Sequence, residues 1–218
     1  MPRPRSLTHD QIAAAALAVI DRDGLAGLSM RAVGSELQMS TMALYRYVQD
    51  REQLEGLVVA GVLAAAELAT PPEAPWTERL TLLVERVRAA VAAHPSVVPL
   101  LLLHRHDSMA SLAWGEAMLG VLTEAGFSGA QRVVAFRCML SYLIGAIQVE
   151  HFGPLSGTGT VAIAQLPSAD YPHLAATARD ARSVPPEQEF GQGFAILLRG
   201  LERQPPDEAF PCGSGAAR

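Results

Sequence analysis

Lysine is absent from these 218 residues, and all seventeen basic side chains are arginine, a bias that a GC-rich genome produces before any function is invoked. Aromatic residues make up only 6% of the chain and charged residues 18%, while half of it is hydrophobic. A chain rich in Ala, Leu and Val with so few aromatics favours helices over sheet. No stretch shows the alternation of a half-buried strand, and none repeats. Cysteine occurs twice, as Cys138 inside an apolar run and Cys212 in the tail, contexts that do not suggest a pair. Glycine-rich phosphate loops, Cys-x-x-Cys and His-Glu-x-x-His are all missing, so neither an enzyme nor a cofactor is expected. The nearest approach to a metal site, His104-Arg105-His106-Asp107, sets its histidines at i and i+2, which point apart on a helix. No metal is expected there, and the four residues read as a polar corner between helices. No secretory signal precedes the first helical pattern, and the best candidate for a membrane span, Val133–Val149, is interrupted by Arg137. A soluble, cytoplasmic, reduced protein with no membrane partner follows as the expectation.

The chain is long enough for a sizeable core in one or two domains. Its formal net charge is −5, which at first argues against a nucleic-acid partner, but the charge is uneven. Up to residue 54, Arg3, Arg5, Arg22, Arg31, Arg46 and Arg51 balance Asp10, Asp21, Asp23, Glu36, Asp50 and Glu52, so the acidic excess lies wholly in the remainder. A neutral end on an acidic body is compatible with DNA binding through a local patch.

The stretch Ser29–Asp50, SMRAVGSELQMSTMALYRYVQD, organises the rest. Val33 and Leu37 form an i, i+4 apolar pair on a helix that Ser29 can cap, and Gln38–Ser40 breaks that helix with room only for a tight turn. Ser40 or Thr41 then caps a second short helix whose Leu44 and Val48 face inward, leaving Thr41, Met42, Ala43, Tyr45, Arg46 and Tyr47 outside. A solvated face normally carries Glu and Lys. Small residues followed by two tyrosines around an arginine suit a helix pushed N-terminus first into a major groove.

The ordered set formed by Asp23–Gly24 at the end of a first helix, Gly27–Leu37, Ala43–Val48 and the D-R-E-x-L segment at Asp50–Leu54 resembles the DNA-binding domain of the TetR/AcrR family of one-component bacterial transcriptional regulators. Two positions depart from that pattern: Gln38 stands at a turn position where glycine is common, and Gly34 sits inside a helix at a cost of about 1 kcal/mol relative to alanine. The resemblance implies that Thr41, Met42 and Ala43 enter the groove with Ser40 also among the DNA-binding residues, that Tyr45, Tyr47 and Arg51 bond phosphates, and that Arg46 and Arg31 reach guanine or phosphate.

Taken in order, Met1–Leu7 is an arm carrying Arg3 and Arg5. Thr8 and Gln11 make a capping box for helix 1, whose inward stripe is Ile12, Ala16, Val19 and Ile20 and which Gly24 ends. Asp50 and Gln53 cap a fourth helix that runs through Leu54, Leu57, Val58, Val62 and Leu63 to Thr70. The prolines of Thr70–Pro75 mark a linker. Further helices are expected at about 77–93 (Leu80, Leu83, Val84, Val87, Val91), 96–103, 108–125 (Leu112, Met118, Leu119, Leu122), 129–152 capped by Ser128 with Gln131, 169–181 and 187–203. Gly153–Ala169 reads as a long loop and the tail after Gln204 as disordered. The expected architecture is all-α: a three-helix helix-turn-helix DNA-binding domain over 1–55 and a larger helical ligand-binding and dimerisation domain over 56–204, with 205–218 as the tail.

Ser128–Phe152 is apolar on more than one face. One face suits its own domain, and the last helix carries a matching stripe with Gly191 and Gly193 allowing close approach. The family resemblance pairs these two helices with their copies in a second subunit. This makes Val133, Phe136, Leu140, Leu143, Ile147, Phe190, Phe194, Leu197 and Leu201 the candidate homodimer interface. A symmetric dimer also suits two readers about one DNA turn (roughly 34 Å) apart on a palindromic operator of double-stranded DNA. The resemblance further implies a small-molecule pocket, for which the candidate lining is Trp76, Leu102, His104, Met109, Trp114, Met118, Met139 and Tyr142, with Glu67, Gln148 and His151 as orienting groups. Glu67 and apolar residues near Leu102 stand where tetracycline-binding members place metal-holding histidines, so the inducer is expected to be largely hydrophobic and not a metal chelate. The leading reading is a repressor released by that ligand. An activator or ligand-independent DNA binder of the same fold, and a helical protein-interaction module without DNA binding, remain open.

Overall fold

The structure is a computed structural model and describes residues 7–106, 108–153 and 157–203. The arm Met1–Ser6, Asp107 and everything after residue 203, including Cys212, lie outside the described residues. Among those described there are eleven α-helices and no strand: α1 His9–Asp23, α2 Met30–Glu36, α3 Thr41–Leu44, α4 Arg51–Ala64, α5 Trp76–Ala92, α6 Val98–His104, α7 Met109–Glu124, α8 Gly129–Phe152, α9 Thr158–Ala164, α10 Pro172–Ala181 and α11 Pro186–Glu202. The chain divides into two compact units, one formed by Met1–Ala74 with Leu82–Met118 and the other by Pro75–Thr81 with Leu119–Arg218.

In the first unit, the capping box on α1 forms as the sequence requires, Thr8 accepting from the Gln11 N–H and the Gln11 side chain accepting from the Thr8 N–H. Gly24 stops the helix at φ 72°, a left-handed value that disfavours other residues. Ile12, Ala16, Val19 and Ile20 are fully buried, and α1 packs against α2 and α4. Burying each large side chain stabilises by about 1.5–3 kcal/mol, so α1 acts as a rigid back wall.

Three expectations in this unit need correction. The fourth helix ends at Ala64, not at Thr70. From α5, the Arg86 guanidinium donates to the carbonyls of Glu67 at 3.0 Å and Ala69 at 2.5 Å and pairs with the Glu67 carboxylate at 3.2 Å. These two carbonyls lie beyond the end of the helix, where a side chain rather than the backbone satisfies them. Leu112, expected on the inward stripe of α7, is exposed; Trp114 is the residue that turns in, its indole N–H donating to the Leu83 carbonyl at 3.0 Å. Val48, expected on the short second helix of the reader, lies beyond its end at Leu44, although hydrogen bonds from Arg46 to Ala43, Tyr47 to Leu44 and Val48 to Leu44 carry its turns onward.

In the second unit, α8 buries Gln131, Ala135, Met139, Leu143 and Ile147 along one stripe and packs on α11, which contributes Phe190, Phe194, Leu198 and Leu201. Tyr142 lies against Phe190 and Phe194, with ring centroids 5.4 and 5.9 Å away, and its hydroxyl donates to the Phe190 carbonyl at 2.8 Å. Gly193 makes room for that ring, because a Cβ there would overlap the Tyr142 hydroxyl.

Ser128 occupies the N-cap position of α8, but its side chain makes no cap hydrogen bond, and Gln131 is buried instead. The expected loop Gly153–Ala169 contains a helix, α9, packed on α10, whose buried Ala175 and Ala178 permit close approach; residues 154–156 lie outside the described residues. The next helix begins only at Pro172, which fixes its first turn. The expectation that no segment has the length and apolarity of a membrane span does not hold for α8, whose 24 residues meet both measures. Arg132, Arg137 and Glu150 among so many aliphatic residues do not lower its average enough, and length and composition alone are weak evidence of a span.

Candidate nucleic-acid interface

The reader is built on α2, the turn after it and α3. Ser29 accepts from the Ala32 N–H at 3.1 Å to cap α2, and Ser40 accepts from the Ala43 N–H at 3.2 Å to cap α3. Between them the Gln38 N–H donates to the Ser35 carbonyl and the Met39 N–H to the Gly34 carbonyl, at 3.0 and 2.8 Å. Gln38 adopts φ 55°, the left-handed conformation expected of the turn position it occupies, a cost of about 1–2 kcal/mol for a residue with a Cβ.

Gly34 has a role that sequence reasoning missed. A Cβ there would lie 3.1 Å from the Met39 carbonyl oxygen and 3.5 Å from the Thr41 nitrogen, so glycine allows α3 to approach α2. The only signal was a glycine inside an otherwise good helix pattern.

The anchoring residues Leu44 and Val48 are fully buried, while the opposite face is open. Met42 is 77% exposed and Tyr45 46%; Arg46 is exposed and Thr41, Ala43 and Tyr47 are half-buried. The Arg46 guanidinium lies 6.0 Å from the Tyr47 ring centroid, at the outer limit of a cation–π contact. Arg31 and Arg46 form no ion pair among the described residues, which leaves both guanidinium groups available to an external anion. Arg22 is committed elsewhere, pairing with Glu36 at 3.0 Å and Asp23 at 3.1 Å. The Glu36 hydrogen bond, and then that to Asp23, raises it above its ordinary value. Arg51 opens α4 behind the Asp50 cap and donates from Nε to Glu55 at 2.7 Å.

The residues expected to line a ligand pocket fall in several environments. His104 and Met109 line an open groove of about 670 Å³ in the first unit, walled by α1, α4 and the start of α7 with Gly56, Leu57, Ala60 and Ser108. Trp114 and Met118 are buried in that unit, Leu102 is half-buried, and Glu67 is held by Arg86. His106 is exposed where His104 is buried, as their spacing requires. In the second unit, Trp76 packs edge-on to Phe127 at 5.4 Å and borders a cleft of about 160 Å³ with Gln131 and Leu201. Met139 is fully buried, Tyr142 joins the phenylalanine cluster, and Gln148 and His151 are half-buried. Of the candidate dimer residues, Leu143, Ile147, Phe190, Phe194 and Leu201 are already buried within the single chain, whereas Val133, Phe136, Leu140 and Leu197 keep exposed surface, joined by Val134 and Ile196.

A capped helix, a tight left-handed turn and a second capped helix on an all-helical body, with small, tyrosyl and arginyl side chains outermost, define a helix-turn-helix transcriptional regulator. Residues 68–204 match the family model described as Tetracyclin repressor-like, C-terminal domain; the chain belongs to the TetR family of transcriptional regulators, which are not enzymes. It is 29% identical over 221 residues to the HTH-type transcriptional repressor DrrR1 of Streptomyces coeruleorubidus, covering 92% of this chain and 79% of that one. It is 28% identical over 200 residues to an HTH-type transcriptional regulator of Saccharopolyspora erythraea, covering 89% and 84%. Among solved structures, ActR from Streptomyces coelicolor in complex with actinorhodin has the same fold, with a TM-score of 0.81 at 22% identity over 94% of this chain and all of that one.

Proposed function

We propose that this regulator is a repressor that binds a palindromic operator in double-stranded DNA as a homodimer and is released by a small, largely hydrophobic ligand in the cytoplasm. The observation that carries the reading is the outward face of residues 41–47, where a short capped helix presents Thr41, Met42 and Ala43 to a base edge and the unpaired Arg46 stands beside two tyrosines. Small residues at the tip let the helix enter a major groove, and Tyr45, Arg46, Tyr47 and Arg51 meet phosphates on its flanks. Arg31 reaches the same surface from α2.

Dimerisation rests on apolar side chains that stay exposed after the second unit has formed its own core: Val133 and Val134 on α8, and Ile196 on α11, which is 62% exposed. Phe136, Leu140 and Leu197 extend that patch. A small-molecule inducer is supported by the complex of the structurally similar ActR with actinorhodin, and its largely hydrophobic character by the apolar residues of the body. DrrR1 is named a repressor, which favours the same sign of regulation here. The reader domain is taken as residues 1–55 and the ligand and dimer domain as 56–204.

Selection of duplexes from a random pool by the purified protein tests the reading, followed by gel-shift titration of the enriched duplex against excess unrelated DNA at two salt concentrations. Enrichment of a palindrome that resists competitor is expected. Recovery of no preferred sequence, with binding lost to competitor at both salts, would refute a specific repressor.

A further inference from the structure

α6 ends in a buried histidine that faces the DNA-reading end of the same unit. The His104 side chain is 7% exposed, and its Nε2 lies 3.2 Å from Oε2 of Glu55 on α4, itself 15% exposed. The other oxygen of that carboxylate, Oε1, accepts from Nε of Arg51 at 2.7 Å. One carboxylate thus joins the C-terminal residue of α6 to the first residue of α4. The Arg51 side chain is half exposed, and a guanidinium bound through Nε keeps its terminal N–H donors free for a second partner.

We propose that Glu55 is the positioning residue that presents Arg51 to the DNA backbone, and that His104 holds Glu55 in place from behind. The inference rests on the reading of Arg51 as a phosphate contact. Asp50 caps α4 through the Gln53 N–H at 2.8 Å, so the backbone beneath Arg51 is fixed and the direction of its long side chain is the remaining freedom. A free arginine loses rotamer entropy when it meets a phosphate, whereas one already held at Nε has lost part of it beforehand. Glu55 can hold Arg51 in one direction only if its own carboxylate is oriented, and the nearly buried His104 supplies that constraint. Its ring packs over Gly56, where an added Cβ would lie 3.9 Å from Nδ1. DNA affinity therefore depends on a histidine that does not itself lie on the reader.

The test is a double-mutant cycle on the full chain, read as the dissociation constant for a fluorescein-labelled 30-base-pair duplex across a salt series, with a thermal melt for each variant. Arg51→Ala, Glu55→Ala and His104→Leu are each expected to weaken binding about 3- to 10-fold and to lower the salt dependence by up to about one ion. Neither Glu55→Ala nor His104→Leu should weaken binding further once Arg51 is alanine. A structural defect alone would persist in the Arg51→Ala background, so full additivity would overturn the proposal, as would unchanged affinity in Glu55→Ala with an intact melt. Should His104→Leu fold poorly, Glu55→Gln, which keeps the volume and removes the charge, replaces it in the cycle with the same expected non-additivity. Wild-type protein that shows no salt-dependent binding would overturn the DNA-binding reading and this proposal together; wild-type binding with additive losses would overturn the role of Glu55 alone.

Discussion

Replacing Gly34 with alanine sets two well-defined effects against each other. Alanine inside a helix is favoured over glycine by about 1 kcal/mol, partly through the unfolded chain. Against that gain, the new methyl would sit 3.1 Å from the Met39 carbonyl oxygen, 3.5 Å from the Thr41 nitrogen and 3.7 Å from the Ser40 carbonyl carbon. All three are main-chain atoms and cannot rotate away. The turn that carries them is closed by the Met39 N–H on the Gly34 carbonyl and contains Gln38 in a left-handed conformation, so it has little slack. Overpacking of this kind costs about 1–3 kcal/mol, and with backbone as the obstacle the net expectation is a loss of about 1 kcal/mol. For a chain of this size that lowers Tm by about 2–4 °C.

DNA binding should suffer more than stability. The tight contact is with the Met39 carbonyl, so relief shifts the turn that leads into Ser40 and the start of α3, and a displaced reader should lose about tenfold in affinity, comparable to one good base contact. Thermal melting by circular dichroism, with fluorescence anisotropy on the selected duplex, measures both. A rise in Tm with unchanged affinity would refute the claim that Gly34 is required by the close approach of the turn.

Arg46→Ala should weaken duplex binding about tenfold or more and reduce the salt slope by up to about one ion while leaving Tm unchanged, because its side chain makes no ion pair among the described residues; unchanged affinity with an intact melt would remove it from the interface. Gln38→Gly should raise Tm by about 2–4 °C, since glycine adopts φ 55° without the left-handed penalty of about 1 kcal/mol; a fall in Tm would locate a Gln38 contact that outweighs the strain. Ile196→Glu, on the most exposed apolar position of α11, should convert a dimer to a monomer in light scattering while preserving helicity, and a persistent dimer would exclude this face as the interface.

Features whose partners lie within a turn of one another could be read from the residues alone. Thr8 with Gln11, Ser29 with Ala32, Ser40 with Ala43 and Asp50 with Gln53 are caps formed across three residues, so the residue types alone specify where each helix begins. Gly24 and Gln38 end or turn the chain through their own backbone angles, and the stripes of α1 and α5 follow from helical periodicity. The reader, being assembled almost wholly from such elements, was legible before any fold was known.

Features that depend on partners far along the chain emerge only when the helices pack. Arg86 holds the stretch after α4 from 19 and 17 residues further along the chain, and α9 stands against α10 in a segment whose glycines and prolines suggested a loop. Periodicity showed that α8 had two apolar faces but could not assign them, because a stripe carries no record of what covers it; in the folded chain Leu143 and Ile147 are buried, Tyr142 meets α11, and Val133 and Val134 stay outside. The join of Arg51, Glu55 and His104 has the same origin: its first contact spans four residues, while its second spans 49 and exists only because the end of α6 is brought onto α4.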